Sequence, residues 1–268
     1  MTRPTKRRLL SLVALCLFGT CTVRAQFTDA GTGLLQMPTA EMQQDGTFMI
    51  TNNFLNKHSL PRSGWNYNTF QYGFAISYWG RIEIGYVCTI LNGAWNPNPN
   101  KTERQRMLFN QDRHFSGRVL LLREGDGFDW MPALVFGMID PTTGSPNSEY
   151  MDADVSGTGN GYFNRKYFVL TKHFQTPLGL VGAHAGYQFN RRRDYRINGP
   201  CAGVEWHPVW LQDRGLLDGL DVIAEYDSRT VNLGMVASKW DKSFEAMVEL
   251  QNFQWINFGL RYKIRIKK

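Results

Sequence analysis

The sequence predicts an all-β fold, a transmembrane outer-membrane β-barrel of about 12 antiparallel strands with a short periplasmic turn at its N-terminus. Three observations predict it: apolar and polar residues alternate with a period of two, the alternating segments run for roughly nine to twelve residues, and long and short connections take turns between them. Strands of soluble sheets usually have about five or six residues, whereas a tilted strand that crosses a bilayer needs about 9–11. A secreted β-sandwich, the soluble alternative, would explain only the alternation.

Residues 1–25 have the pattern of a secretory signal peptide. A basic start is followed by an apolar run over 9–18 and by a small-residue cleavage site that ends at Ala25. The apolar run is too short to span a bilayer as a helix. We therefore expect residues 26–268 to form a single outer-membrane β-barrel domain. Lipidation of Cys21 is the alternative, although the residues before it are a poor lipobox.

The charge balance depends on this leader. The full sequence has 30 lysine and arginine residues against 23 aspartate and glutamate residues, a formal charge of +7. Five of the basic residues and none of the acidic ones lie within 1–25, so 25 face 23 afterwards, a formal +2. A basic excess that resides mainly in the leader excludes nucleic acid as a partner. Cys88 and Cys201 remain, and their opposite positions in the alternation argue against a disulfide.

The C-terminal segment shows the alternation most clearly. Within 256–266, isoleucine, phenylalanine, leucine and tyrosine occupy every second position, and asparagine, glycine, arginine and lysine stand between them. This pattern is typical of a strand with one apolar and one polar face. Segments of this kind predict strands near 46–55, 69–79, 81–91, 114–124, 130–139, 163–174, 180–190, 199–207, 219–228, 230–240, 243–251 and 255–266.

The connections between these segments predict the orientation of the barrel. Outer-membrane barrels have long outer loops and short periplasmic turns. The long segments 56–68, 92–113 and 140–162 fall on one side, and the tight turns at Gly80, 124–127 and 176–179 fall on the other, with 208–218 as a longer exception. Aromatic residues expected at the membrane interfaces are Tyr78, Trp79, Trp206, Trp240 and Trp255.

The stretch GLLQMPTAEMQQDGTF, which ends at Phe48, lacks the alternation. It predicts one short helical turn, with Pro38 in the first turn, Thr39 and Ala40 continuing it, and Gly46 as a left-handed stop. Because the stretch directly precedes the first strand, we expect it at the periplasmic mouth of the barrel. A plain turn without further role is the first interpretation, and a plug or gate is the second.

The same stretch resembles the N-terminal motif of the YjbH-like family of outer-membrane proteins. Two later stretches are similar to the family in the same order, DVSGTGNGYFNRKYFVLTKHF (Asp154–Phe174) and CAGVEWHPVWLQDRGLLDGLDVIAEYDS (Cys201–Ser228). The resemblance covers almost the whole chain after the leader. Larger members of the family carry much more sequence, so this chain resembles one of their barrel modules. It implies a role in exopolysaccharide biosynthesis.

Charged residues on the polar parity are expected to face the lumen. The candidate network is Glu205, Glu225, Asp227, Glu245, Glu249 and Arg261, accompanied by Glu83, Arg118, Lys263 and Arg265. The short turn before the last strand predicts Glu245 opposite Arg261 and Glu249 near Asn257. Such charges either pair across the wall and hold the barrel shut or line a water-filled path.

A second candidate is a basic outer loop that contains Arg191, Arg192, Arg193 and Arg196. Guanidinium groups suit carboxylates and phosphates, so an acidic glycan or the phosphate of lipopolysaccharide is a suitable ligand, and a solvated loop without a ligand is the alternative. The segment 152–157 begins like a calcium loop, but Phe163 stands where the bidentate glutamate should be. We therefore predict no metal.

No catalytic residues and no cofactor are predicted either. The histidines at 114, 173, 184 and 207 have no serine or acidic partner at a recognisable spacing. An enzyme that acts on lipid and assembles its site from distant strands stays an alternative. The expected function is a non-enzymatic barrel for export or assembly of a surface exopolysaccharide, and the alternatives are a structural subunit of an outer-membrane complex or a small porin-like channel.

The expected location is the outer membrane of a Gram-negative bacterium. The expected partners are outer-membrane lipid and lipopolysaccharide, a surface polysaccharide, and other periplasmic or outer-membrane proteins.

Overall fold

The computed structural model describes residues 26–62, 65–95, 105–141, 161–190, 195, 197–213 and 215–266. Four predictions fall outside these residues and stay predictions. They are the signal peptide at 1–25, lipidation of Cys21, the arginine cluster at 191–193 and 196, and the segment 152–157.

The described residues form a closed antiparallel barrel of twelve strands in which each strand pairs with its sequence neighbours and the first strand pairs with the last. The predicted all-β barrel fold is therefore confirmed. The strands are β1 Thr47–Leu55, β2 Thr69–Tyr78, β3 Ile82–Trp95, β4 Gln105–Leu122, β5 Ala133–Ile139, β6 Arg165–Thr176, β7 Gly179–Phe189, β8 Gly199–Pro208, β9 Gly219–Tyr226, β10 Val231–Lys239, β11 Phe244–Gln251 and β12 Trp255–Arg265.

Two short 3-10 turns, Lys57–Ser59 and Val209–Leu211, accompany the strands. Among the described residues, no helix has the length and apolar character needed to cross a membrane.

Most strand bounds lie within three residues of the predicted ones, but the hairpin of β3 and β4 is much longer than expected. The two strands stay paired out to Trp95 and Gln105, with a register shift between Leu91 and Asn92. The polar residues there break the apolar alternation, which led to the prediction of a loop over 92–113. Backbone pairing does not require that alternation, so a hairpin can continue beyond the apolar part of the barrel.

The barrel is apolar outside and polar inside. On β12, the outward side chains of Ile256, Phe258, Leu260 and Tyr262 are 45–58% exposed, whereas the inward side chain of Arg261 is 1% exposed. The same reversal of the usual protein pattern recurs around the ring. A continuous exposed apolar band of this kind is what a barrel presents to lipid.

The lumen is filled by the N-terminal segment 26–43, which we call the lumen plug. Almost every residue of the plug is buried, and Phe27, Leu34, Leu35 and Met37 form the centre of the interior core. The expectation of a plain turn at the mouth is therefore wrong, and the plug interpretation describes the structure.

The predicted helical turn is also absent. Gly33 and Pro38 form an isolated bridge, and the Leu34 amide donates to the Met37 carbonyl over 2.9 Å. A helical turn here would pair the Gln43 amide with the Thr39 carbonyl, but that amide donates to Glu83 and that carbonyl accepts from Arg118, both on the wall. Gly46 does have the left-handed conformation expected of it, with φ of 71°, at the point where the chain passes into β1.

Candidate functional site

The plug is held by charged side chains of the wall, and Glu225 on β9 binds three consecutive residues of its backbone. Its carboxylate accepts hydrogen bonds from the amides of Leu35, Gln36 and Met37 over 3.0, 2.7 and 3.3 Å. Asn232 on the neighbouring β10 donates to the same carboxylate over 3.1 Å and fixes its orientation. Three consecutive amides that converge on one carboxylate form an anion-binding nest, here occupied by the protein's own glutamate.

A second anchor lies on the opposite side of the lumen, on β3 and β4. Glu83 accepts from the amide and hydroxyl of Thr32 over 3.0 and 2.7 Å and from the amide of Gln43 over 2.6 Å. Arg118 donates to the carbonyls of Thr32, Thr39 and Glu41. Carboxylates therefore bind plug donors and guanidinium groups bind plug acceptors, so the wall replaces the sheet partners that this backbone lacks.

Two further arginines complete the ring around the plug. Arg165 on β6 donates to the Gln36 carbonyl over 3.0 Å and to the Gln26 side chain over 2.6 Å. Arg261 on β12 donates to the Gln26 carbonyl over 3.3 Å and lies against the ring of Phe27. Each guanidinium is almost completely buried, so these contacts are shielded from the solvent screening that weakens surface pairs.

Glycines in the wall make room for the apolar part of the plug. A Cβ atom at Gly203 on β8 would collide with the side chain of Leu34 and lie 3.0 Å from the sulfur of Met37. A Cβ atom at Gly234 on β10 would lie 2.6 Å from Leu35. The wall and the plug are therefore complementary in shape as well as in charge.

The members of the predicted lumen network have separate partners. Glu225, Glu249 and Arg261 contact the plug, and Glu249 also accepts from Asn257 over 2.7 Å. Glu245 lies opposite Arg261 in the strand register, as expected, and forms an ion pair with Lys263.

The remaining two members lie at the ends of the barrel. Asp227 is buried beside Arg229 at the long-loop end, the end that carries the connections 56–68 and 227–230, with 2.8 Å between their charged atoms. Glu205 lies among histidines at the opposite, short-turn end. The network thus binds the plug more than it pairs across the wall.

Residues of the N-terminal motif lie inside the lumen. The amide of Ala40 donates to Thr171 on β6 over 2.8 Å, and the hydroxyl of Thr39 donates to Glu41 over 3.3 Å. Pro38 is buried and ends the small bridge with Gly33. The motif therefore builds the plug and its contacts with the wall.

Sequence reasoning missed a cluster of histidines and carboxylates at the short-turn end. Glu205 on β8 has His173, His184 and His207 within 3.9, 3.9 and 3.2 Å, and Glu41 of the plug lies 3.0 Å from His173. One signal could have found it. All the strand residues of the cluster occupy inward positions near short turns, which places them on the same level of the lumen.

A cavity of about 710 Å³ opens at the long-loop end. Its lining combines basic and aromatic side chains with amides, and it consists of Lys57, His58, Leu60, Arg62, Trp65, Asn66, Tyr195, Arg229, Thr230, Gln251, Asn252 and Trp255. We call it the outer pocket. Tyr195, which lines the outer pocket, stands in the sequence between Arg193 and Arg196 of the predicted basic loop.

The walls of the outer pocket are ordered by ring contacts. His58 stacks on Trp255 with 3.8 Å between ring centres, and the Arg229 guanidinium lies 4.8 Å from the centre of the Tyr195 ring. Partial burial, followed by the charges of Lys57 and Arg62, lowers the pKa of His58. Lys57 and Arg62 themselves add positive charge at this mouth, which favours anionic ligands.

Comparison with known proteins gives a match to a protein family. The family model described as YjbH, exopolysaccharide biosynthesis protein YbjH, matches residues 27–266. No curated protein matches the chain.

Proposed function

The chain belongs to the YjbH family of exopolysaccharide biosynthesis proteins, and we propose that it is a non-enzymatic outer-membrane barrel that acts in the export or assembly of a surface exopolysaccharide. Family membership supports the polysaccharide association. The exposed apolar band around the barrel supports the outer membrane of a Gram-negative bacterium as its location, with the long-loop end outside. Extraction of the mature protein from envelope fractions should require detergent.

The observation that carries the proposal is the filled lumen. A plug whose backbone is bonded to β3, β4, β6, β9 and β12 leaves no continuous path through the part of the lumen that it occupies. We therefore propose a barrel that is closed at rest and meets its polysaccharide at the outer face. This state does not fit a permanently open porin, and passage of a chain would require displacement of the plug.

The outer pocket is the proposed contact for the glycan. Flat aromatic rings such as Trp255 pack against the apolar faces of sugar rings, and Lys57 and Arg62 supply charges for carboxylate or phosphate groups. The arginines at 191–193 and 196 remain a predicted contact for the same class of ligand. The ligand class is therefore an acidic polysaccharide, and lipopolysaccharide phosphate is the other anion within reach at this level of the membrane.

The experiment compares surface polysaccharide in cells that lack the gene and carry variants. We expect the double variant Lys57→Ser/Arg62→Ser to lower the amount of surface polysaccharide. Trp255→Ala should lower it as well, by an amount that does not depend on the salt concentration, because the tryptophan ring carries no charge. Arg123→Ser is the matched control, because Arg123 is an exposed arginine at the short-turn end. All variants should keep the heat-dependent gel mobility of a folded barrel.

Two results would contradict the proposal at different levels. Unchanged surface polysaccharide after deletion of the whole gene would refute the role in polysaccharide handling. If deletion of the gene lowers surface polysaccharide and the pocket variants restore it as fully as the control Arg123→Ser does, only the role of the outer pocket is refuted.

The closed lumen also favours a second function, a structural subunit of an outer-membrane assembly. A subunit of this kind needs no passage through its centre. Loss of the gene would then lower the amounts of partner proteins in the envelope, and the pocket variants would restore those amounts fully.

A further inference from the structure

The histidine and carboxylate cluster at the short-turn end has the arrangement of a metal site, and we propose that it binds one divalent cation, with Zn²⁺ as the preferred ion. Its core is Glu41 of the plug, His173 on β6 and Glu205 on β8, each of which offers one ligand atom within 4.8 Å of the others. His184 and His207 flank Glu205 and are the nearest donors for a fourth position.

The distances agree with tetrahedral coordination. Zn²⁺ bonds to nitrogen and oxygen of about 2.0–2.2 Å require neighbouring donor atoms to be roughly 3.3–3.6 Å apart. The Nε2 atom of His173 lies 3.0 Å from Glu41 Oε1 and 3.9 Å from Glu205 Oε1, and Nε2 of His207 lies 3.2 Å from the same Glu205 oxygen. Shifts of a few tenths of an ångström would accommodate an ion between these atoms.

The second ring nitrogen of each histidine is already oriented. Nδ1 of His173 lies 2.7 Å from Glu124, and Nδ1 of His207 lies 2.8 Å from Asp221. Nδ1 of His184 lies 2.9 Å from the hydroxyl of Thr171. Metal-binding histidines almost always donate their other ring N–H to a carboxylate or another oxygen, which turns Nε2 toward the ion. In all three imidazoles Nδ1 lies next to an oxygen, and each Nε2 lies within 3.9 Å of Glu205 Oε1.

The charge of the cluster favours a cation. Four carboxylates, those of Glu41, Glu124, Glu205 and Asp221, face three imidazoles, and Lys172 is paired with Glu124 over 3.1 Å. Glu41, Glu205 and Asp221 are buried, where carboxylates are stable only beside positive charge or hydrogen-bond donors. A divalent ion between them would supply positive charge. A mixed set of imidazole and carboxylate ligands suits Zn²⁺ better than Ca²⁺ or Mg²⁺, which prefer oxygen alone.

The ligands come from the plug and from the wall, which assigns a role to the ion. Glu41 belongs to the plug, whereas the other donors belong to β6, β7 and β8. A bound ion would therefore attach the end of the plug to the wall next to the short-turn mouth. Removal of the ion would loosen this end first.

Metal analysis of the full chain, extracted in detergent without chelator, tests the site. We expect about one zinc per chain by elemental analysis. After treatment with EDTA, added Co²⁺ should restore a stoichiometric complex with the visible absorption of tetrahedral cobalt. Glu205→Gln and His173→Gln should abolish that absorption. His114→Gln is the control, because His114 is a buried histidine outside the cluster.

A milder variant keeps the test valid if the buried substitutions prevent folding. Glu124 lies in a turn and contacts the ion only through His173, so Glu124→Gln should fold normally and weaken metal affinity by roughly tenfold to a hundredfold. Absence of stoichiometric metal together with no cobalt absorption in the unmodified protein would overturn the proposal. Equal metal binding by His114→Gln, Glu205→Gln and Glu124→Gln would do the same.

Discussion

Replacement of Glu225 by alanine is expected to release the centre of the plug. In the native structure this carboxylate accepts from the amides of Leu35, Gln36 and Met37. After Glu225→Ala, these three donors lose their acceptor while the residues around them still exclude most water. The substitution therefore acts on the plug and leaves the backbone pairing of β9 in place.

The magnitude follows from the three donors. A buried amide without a partner costs about 1–3 kcal/mol, which gives roughly 3–9 kcal/mol for three. Part of this cost is offset, since the variant no longer buries a carboxylate and water can enter the vacated space. We expect the free energy of plug opening to fall by about 3 kcal/mol, which raises the open population more than a hundredfold.

Hydrogen exchange followed by mass spectrometry measures this opening directly. Peptides from 26–43 should exchange slowly in the native protein and about a hundredfold faster after Glu225→Ala, whereas peptides from the strands should not change. Glu225→Gln keeps one acceptor oxygen and should give an intermediate rate. Asp129→Ala removes an exposed acid from the turn before β5 and serves as the control.

The reasoning would be refuted by equal plug exchange in Glu225→Ala and Asp129→Ala, since the carboxylate would then contribute nothing to holding the plug. Faster exchange in plug and strands alike would point instead to loss of the whole barrel.

Three further outcomes are expected. Burial raises the pKa of Asp227, but Arg229 and nearby amides outweigh burial and hold that pKa below its usual value in the folded protein. The ionised carboxylate therefore stabilises the fold above the pKa of the unfolded state, and this stability is lost as the pH falls through the lower pKa of the folded state. The melting temperature should drop below about pH 4, and Asp227→Asn should remove this pH dependence. Gly203→Leu should displace the apolar part of the plug. Hydrogen exchange in 26–43 should then be faster than in the Asp129→Ala control. Glu245→Ala should lower the free energy of unfolding by about 3 kcal/mol, because Lys263 keeps its partly buried charge without its ion-pair partner. In a double-mutant cycle, the Glu245→Ala/Lys263→Ala variant should regain most of this lost stability.

The wall of the barrel could be predicted from sequence because it depends on a local pattern. Alternation marks each strand and its inward face, and short turns set the register, as the pairing of Glu245 with Arg261 shows. The pattern failed between Leu91 and Gln111, where the β3–β4 hairpin continues through residues that no longer alternate.

The plug could not be predicted in the same way because its structure is decided by distant residues. Pro38 and the residues after it have the local preferences of a helical turn, yet the Thr39 carbonyl and the Gln43 amide that would pair in it bond to Arg118 and Glu83, which are distant in sequence. Local propensity amounts to a few tenths of a kcal/mol per residue, and a buried charge-assisted hydrogen bond outweighs it. The histidine cluster was missed for the same reason, since Glu41 and Glu205 meet only when the plug is in place.

The ring of wall contacts also bears on the order in which the molecule assembles. Strands on opposite sides of the barrel do not touch, but the plug joins β3 to β9 through Thr32 and Gln36 within five residues of chain. The plug precedes β1, and the β1–β12 seam joins the two ends of the barrel, so an unclosed sheet can curl around the segment before that seam pairs. The N-terminal segment would then act as a template on which the sheet acquires its curvature. A chain that lacks this segment should pair β1 with β12 more slowly.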